Sequence, residues 1–236
     1  MSTRLRQGIL KPLAVVAALA TAALIAAPAH AASGPLDKVW IQDASGTKVT
    51  SPEAVSITDK GGVSAEVGGT TYPCTSATGS GTAYAVPPTY AGEPYMILDT
   101  VNINGCNSPA GTTNAALESD CAMVFKATAG QTVDDLLTDH NVTGSMQLLR
   151  PSTDYTTTCN LVATTTLCTT RVGGSVAAIF DEDKGSGTQN VNVGGPGLSI
   201  VSATGFCAFL TGLPITFDLD VNVTLANPTH KINFKP

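Results

Sequence analysis

Residues 215–225 read ITFDLDVNVTL. Odd positions are apolar, from Ile215 through Phe217, Leu219, Val221 and Val223 to Leu225. Even positions are polar: Thr216, Asp218, Asp220, Asn222 and Thr224. Successive side chains of a β-strand point to opposite faces, so the stretch is one strand with an apolar face and a polar face. The apolar face can meet a protein core or, in a barrel of the opposite sense, lipid. Those two answers separate a water-facing β domain from an envelope pore.

The rest of the chain favours the core. Tyr95 to Ile103 places Asp99 on the face shared with Ile97 and Val101, and Leu198 to Ala203 is too short to span a bilayer. Aromatic residues are 5% of the chain, few for the girdles of a membrane barrel. Gly, Thr, Ser and Asn recur as turn residues between short apolar stretches. The expected fold is all-β, a disulfide-stapled β-sandwich or barrel-like domain with one short helix. Expected strands include Val39–Ile41, Ala54–Ile57, Val63–Val67, Tyr95–Ile103, Cys121–Ala127, Val142–Leu149, Gly174–Phe180 and Leu198–Ala203. The helix is expected over Val133–Asp139, with Thr132 as N-cap and Asp134 and Asp135 in the first turn.

The N-terminus reads as an export leader. Arg4, Arg6 and Lys11 precede an apolar run from Leu13 to Ala27, and Ala29-His30-Ala31 is a small-x-small site. This pattern predicts a signal peptide over 1–31, cleaved after Ala31, and a single β-rich domain over 32–236. Leu5 separates the two arginines, which points to general secretion. The protein is expected in the medium or the cell envelope. The formal net charge is −6, and three of the 12 basic residues lie in the leader, so the remainder is more acidic still. That surface excludes nucleic acid as a natural partner. A cell-wall component, a lipid or another envelope protein remain open as partners.

All six cysteines follow the leader. An even count in an exported chain reads as three disulfides. No two are spaced as zinc ligands require. The two halves, about 32–130 and 140–236, show a loose duplication. Each has a Cys, a Gly-rich stretch and a strand leading to a second Cys. One runs from Cys74 to Cys106, the other from Cys168 to Cys207. That pattern favours Cys74–Cys106 and Cys168–Cys207, leaving Cys121–Cys159. The competing arrangement joins Cys159 to Cys168 and Cys121 to Cys207.

VNINGC (101–106), NVTGSMQL (141–148), LSIVSATGFC (198–207) and ITFDLDVNVTL together resemble small exported, disulfide-bonded β-rich proteins of high-GC Gram-positive bacteria. The chain is also similar to exported activators of alkane oxidation. The resemblance implies a disulfide-bonded β fold outside the cytoplasm and transfers no functional residue.

The search for chemistry yields weak constellations. Asp218 and Asp220 share a strand face at about 7 Å, within the range of a glycosidase pair. A solvated polar face explains them more simply. His140 follows Asp139 and reads as a cap, and His230 lies near the end of the chain. No Gly-x-Ser-x-Gly motif occurs. Asp181 and Asp183, ahead of Gly185 and Gly187, are candidate Ca²⁺ ligands, although Asn192 stands where a helix-loop-helix site needs an acid. No other cofactor is implied. Tyr84, Tyr90 and Tyr95 flank Pro87-Pro88 in a candidate binding loop. The expected function is therefore a structural or binding role, leaning away from an enzyme. The alternatives are an oligomeric pore using 215–225 and a secreted hydrolase.

Overall fold

The structure, a computed structural model, describes residues 33–84, 89–90, 93–134, 140–151, 155–182 and 189–235. Its strands are β1 (Ser33–Pro35), β2 (Lys38–Gln42), β3 (Glu53–Val67), β4 (Thr70–Pro73), β5 (Ser76–Ala83), β6 (Thr89–Tyr90), β7 (Pro94–Ser108) and β8 (Gly111–Leu117). They continue as β9 (Ala122–Ala127), β10 (Thr132–Asp134), β11 (His140–Leu149), β12 (Leu161–Thr164), β13 (Thr169–Glu182), β14 (Gln189–Ala203), β15 (Pro214–Leu225) and β16 (Lys231–Lys235). A short 3-10 helix, Gly205–Leu210, joins β14 to β15.

The quoted stretch is β15, paired on one side with β14 and on the other with β3. Its apolar residues are all buried, with Leu219 and Val221 fully so, while Thr216, Asp218 and Thr224 are exposed. The apolar face points into a barrel. The lipid-facing arrangement would require the reverse.

The barrel has eight strands and closes twice. From β7 the wall runs through β5, β3, β15 and β14 to β13. At one end β9 and β11 bridge β7 to β13, since Pro94–Leu98 pairs with β9 and Ser175–Glu182 with β11. At the other end β8 and β12 complete the ring, through Asn102–Ser108 of β7 and Thr169–Val172 of β13. The forks lie midway along these two long strands. Cys121, between β8 and β9, is bonded to Cys159, between β11 and β12. This disulfide ties the two closures at their seam. Beside it Glu118 accepts a hydrogen bond from the Asn160 side chain at 3.1 Å and faces Arg171 at 3.5 Å and Arg150 at 3.9 Å.

The β9/β11 end is filled. Tyr95, Phe180 and Phe234 form a ring cluster with centroids 4.9 to 5.9 Å apart. Met96, Phe125 and Met146 are buried around it. A small sheet, β16-β2-β6, contributes Ile41, Ile232 and Phe234 to the same core. Gln189 staples this sheet to the barrel: its amide donates to the Ile232 carbonyl at 2.6 Å, and its oxygen accepts from the Ile232 N–H at 2.8 Å. A buried amide satisfied at both ends avoids the desolvation cost of an unpaired polar group.

Two expectations change. Thr132–Asp134 is strand, not the start of a helix, because it pairs with Ser33–Pro35. An arriving strand edge outweighs a good N-cap there. Residues 135–139 of the expected helix lie outside the described ones. The short helix falls instead at Gly205–Leu210, so LSIVSATGFC ends its strand at Ala203 and carries Cys207 on a helical turn.

Candidate functional site

The β8/β12 end of the barrel holds a cavity of about 410 Å³, open to solvent on one side. The same strand alternation that packs the other end operates here, with smaller side chains. Ala65 from β3, Ala115 from β8 and Ala163 from β12 reach inward, with Thr113 and Thr170 beside them. Alanine and threonine leave unfilled the space that Phe and Met occupy at the other end. Ile103, Leu161, Leu198, Ile200, Ile215 and Phe217 make the floor apolar.

Two of the three disulfides form part of the wall. Cys74–Cys106 joins the turn before β5 to β7, and Cys168–Cys207 joins the β12–β13 turn to the 3-10 helix. Among the described residues no cysteine is free, and Cys159 is not joined to Cys168. Glycine makes both wall positions feasible. Gly105, just before Cys106, has φ 64°, and a Cβ there would strike the Thr75 side chain. Gly205, two before Cys207, also has φ 64°, and a Cβ would strike the Leu167 carbonyl. Both conformations are costly for any residue with a side chain.

The serine and threonine hydroxyls of the lining are already committed. Ser108 donates to the Gly111 carbonyl at 2.7 Å, and Thr113 lies 3.3 Å from the Ser108 hydroxyl. Thr165 donates to the Cys168 carbonyl at 3.3 Å, and Thr170 to the Ala163 carbonyl at 3.5 Å. A guest would therefore meet an apolar, shape-defined surface with Tyr72 at one side. Such pockets select by size and apolarity.

The residues singled out from the sequence fall elsewhere. Tyr95 is 3% exposed, its hydroxyl pushed up by burial, and it belongs to the core of the filled end rather than to a binding loop. Tyr84 packs with Tyr155 over Ile97, Ala122, Val124 and Leu149 on the outside of the barrel wall. Burial, with Tyr155 beside it, pushes its hydroxyl up to about 12. Tyr90 pairs through its backbone with Lys38, and its side chain lies outside the described residues. Asp218 and Asp220 project from the outer face of β15, opposite Gly194 and Asn192, away from the cavity. Asp181 sits within strand β13 opposite Asn141 and Asn190, and Asp183 lies outside the described residues. Among the described residues no three His, Cys, Asp or Glu gather as metal ligands. His230 bonds through Nδ1 to Glu53 at 2.7 Å and through Nε2 to Asn227 at 2.9 Å, closing a turn at the filled end. The His140 backbone starts β11, and its side chain lies outside the described residues.

Sequence reasoning passed over Ala115, Ala163, Phe206 and Phe209. A signal was present: 67–92, 100–117, 155–170 and 185–217 contain no charged residue. Together they supply nearly every lining residue of the cavity. No protein-family model, curated protein or solved structure matches the chain.

Proposed function

We propose that this protein is exported and binds a small, uncharged, apolar molecule inside the open end of its barrel. The observation that carries the reading is the cavity of about 410 Å³, apolar on its walls, with the Ser108, Thr165 and Thr170 hydroxyls turned to backbone carbonyls. Eight-stranded barrels of this size class have an interior wide enough for one small ligand. Three disulfides and the leader pattern of residues 1–31 support a role outside the cytoplasm. An apolar interior and a polar outer face on β15 favour a carrier over a pore.

The test is a titration with a neutral naphthylamine probe that fluoresces in apolar surroundings. The unmodified protein is expected to bind it saturably at one site. Ala163→Phe fills the cavity and is expected to weaken binding about tenfold or more, with little change in melting temperature. Equal binding by both forms, or none by the unmodified protein, overturns the reading.

A further inference from the structure

Among the described residues, the two most exposed large apolar side chains, Phe206 and Phe209, line the cavity. Phe206 and Phe209 are each 71% exposed, Leu167 56% and Val201 49%. These are four of the five large apolar residues exposed among the described residues. In a 3-10 helix, residues three apart stand side by side, and the two rings meet edge to face with centroids 6.3 Å apart. Cys207, between them, is buried and bonded to Cys168, so the pair projects from a fixed turn. The Phe206 N–H donates to the Leu167 carbonyl at 3.3 Å, which sets Leu167 beside them.

The charge around this patch is as informative as its apolarity. The turns at this end come from 68–75, 104–111, 164–168 and 204–213, and none holds an acidic or basic residue. In sequence, the neighbours of the two rings and of Leu167 include Thr164, Thr166, Thr204, Thr211 and Gly212. The net negative charge of the chain is carried elsewhere. A protein partner is ordinarily steered by charges around an apolar centre, and these turns have none to offer. An anionic bilayer is ordinarily gripped by Lys and Arg, which are also missing here. A neutral, zwitterionic lipid surface fits both facts: aromatic rings enter the interfacial zone and hydroxyls meet the headgroups.

We propose that the protein docks this end on a neutral lipid surface, inserting Phe206, Phe209 and Leu167, and so presents the cavity mouth to the membrane. The docking goes beyond ligand binding and can fail independently of it. The experiment is sedimentation of the protein with phosphatidylcholine vesicles, and with vesicles in which part of that lipid is replaced by phosphatidylglycerol. The unmodified protein is expected to sediment with the neutral vesicles and to gain nothing from anionic lipid. F206S/F209S is expected to lose about tenfold or more in partitioning, at an unchanged melting temperature because both side chains are exposed. Ala163→Phe is expected to leave sedimentation intact, which separates docking from cavity occupancy. The proposal is overturned if the unmodified protein stays in solution or if the double variant sediments equally. Binding that grows with anionic lipid and fades with salt overturns it too. So does self-association, without vesicle binding, that F206S/F209S abolishes, which would assign the patch to a second copy of the chain.

Discussion

The two ends of this barrel share the same long strands and differ in what those strands point inward. Around β9 and β11 the interior receives Tyr95, Phe125, Phe180 and Phe234, and a three-stranded sheet covers it. Around β8 and β12 it receives Ala65, Ala115 and Ala163, and a cavity remains. β15 contributes to both: Val221, Val223 and Leu225 face the filled end, while Ile215 and Phe217 line the hollow one. Alternation decides which side chains face inward. Their summed volume across neighbouring strands decides whether the interior is solid. Stability and binding are thereby assigned to opposite ends of one sheet.

That division predicts unequal effects of substitution. Phe234→Ala removes a fully buried ring from the aromatic cluster and should cost about 3 to 5 kcal/mol by chemical denaturation. Probe binding at the opposite end should persist under native conditions. A loss of affinity with the fold intact would show that the ends are coupled. Replacing both Cys121 and Cys159 by alanine should cost about 2 to 4 kcal/mol, mainly by freeing the unfolded chain. Because this bond ties the two closures, hydrogen exchange at β8 and β12 should rise more than at β9 and β11, where the packed interior resists opening.

Alkali tests the filled end. Burial raises the Tyr95 hydroxyl above its ordinary range, and Tyr84 is pushed up to about 12. The unfolded chain loses these protons near pH 10, at about the free tyrosine pKa, while the folded chain keeps them. Folded stability from both groups is therefore complete below about pH 10 and falls as pH rises toward 12 and beyond. Melting curves should show that fall, and Tyr95→Phe should shrink it. An unchanged slope in the variant would remove Tyr95 as its source. The smallest effect is expected on the outer wall. Asp218→Asn and Asp220→Asn should each shift stability by less than about 0.5 kcal/mol and leave probe binding unaltered.

Much of the architecture was legible in the residues. β15 emerged from the alternation of 215–225 alone, because burial on one sheet face imposes a period of two. β11 contains the expected Val142–Leu149, and β13 the expected Gly174–Phe180. Thr132–Asp134 misled because a local capping signal is worth little against pairing with Ser33–Pro35, about a hundred positions earlier in the sequence. Tyr95 misled differently. Proline and tyrosine read as a loop, yet Tyr95 begins the buried part of β7, and nothing local distinguishes a tyrosine aimed inward from one aimed at a ligand.

The sequence by itself determined an all-β chain with an acidic balance, paired cysteines and one strand of unambiguous facing. Those properties depend on composition and on neighbours a few positions apart. Tertiary structure alone decided that β7 and β13 fork, that two closures meet at Cys121 and Cys159, and that small inward residues from β3, β8 and β12 face one another. A cavity is a deficit of volume shared among strands distant in sequence. No single strand carries that deficit, so it becomes visible only when the barrel closes.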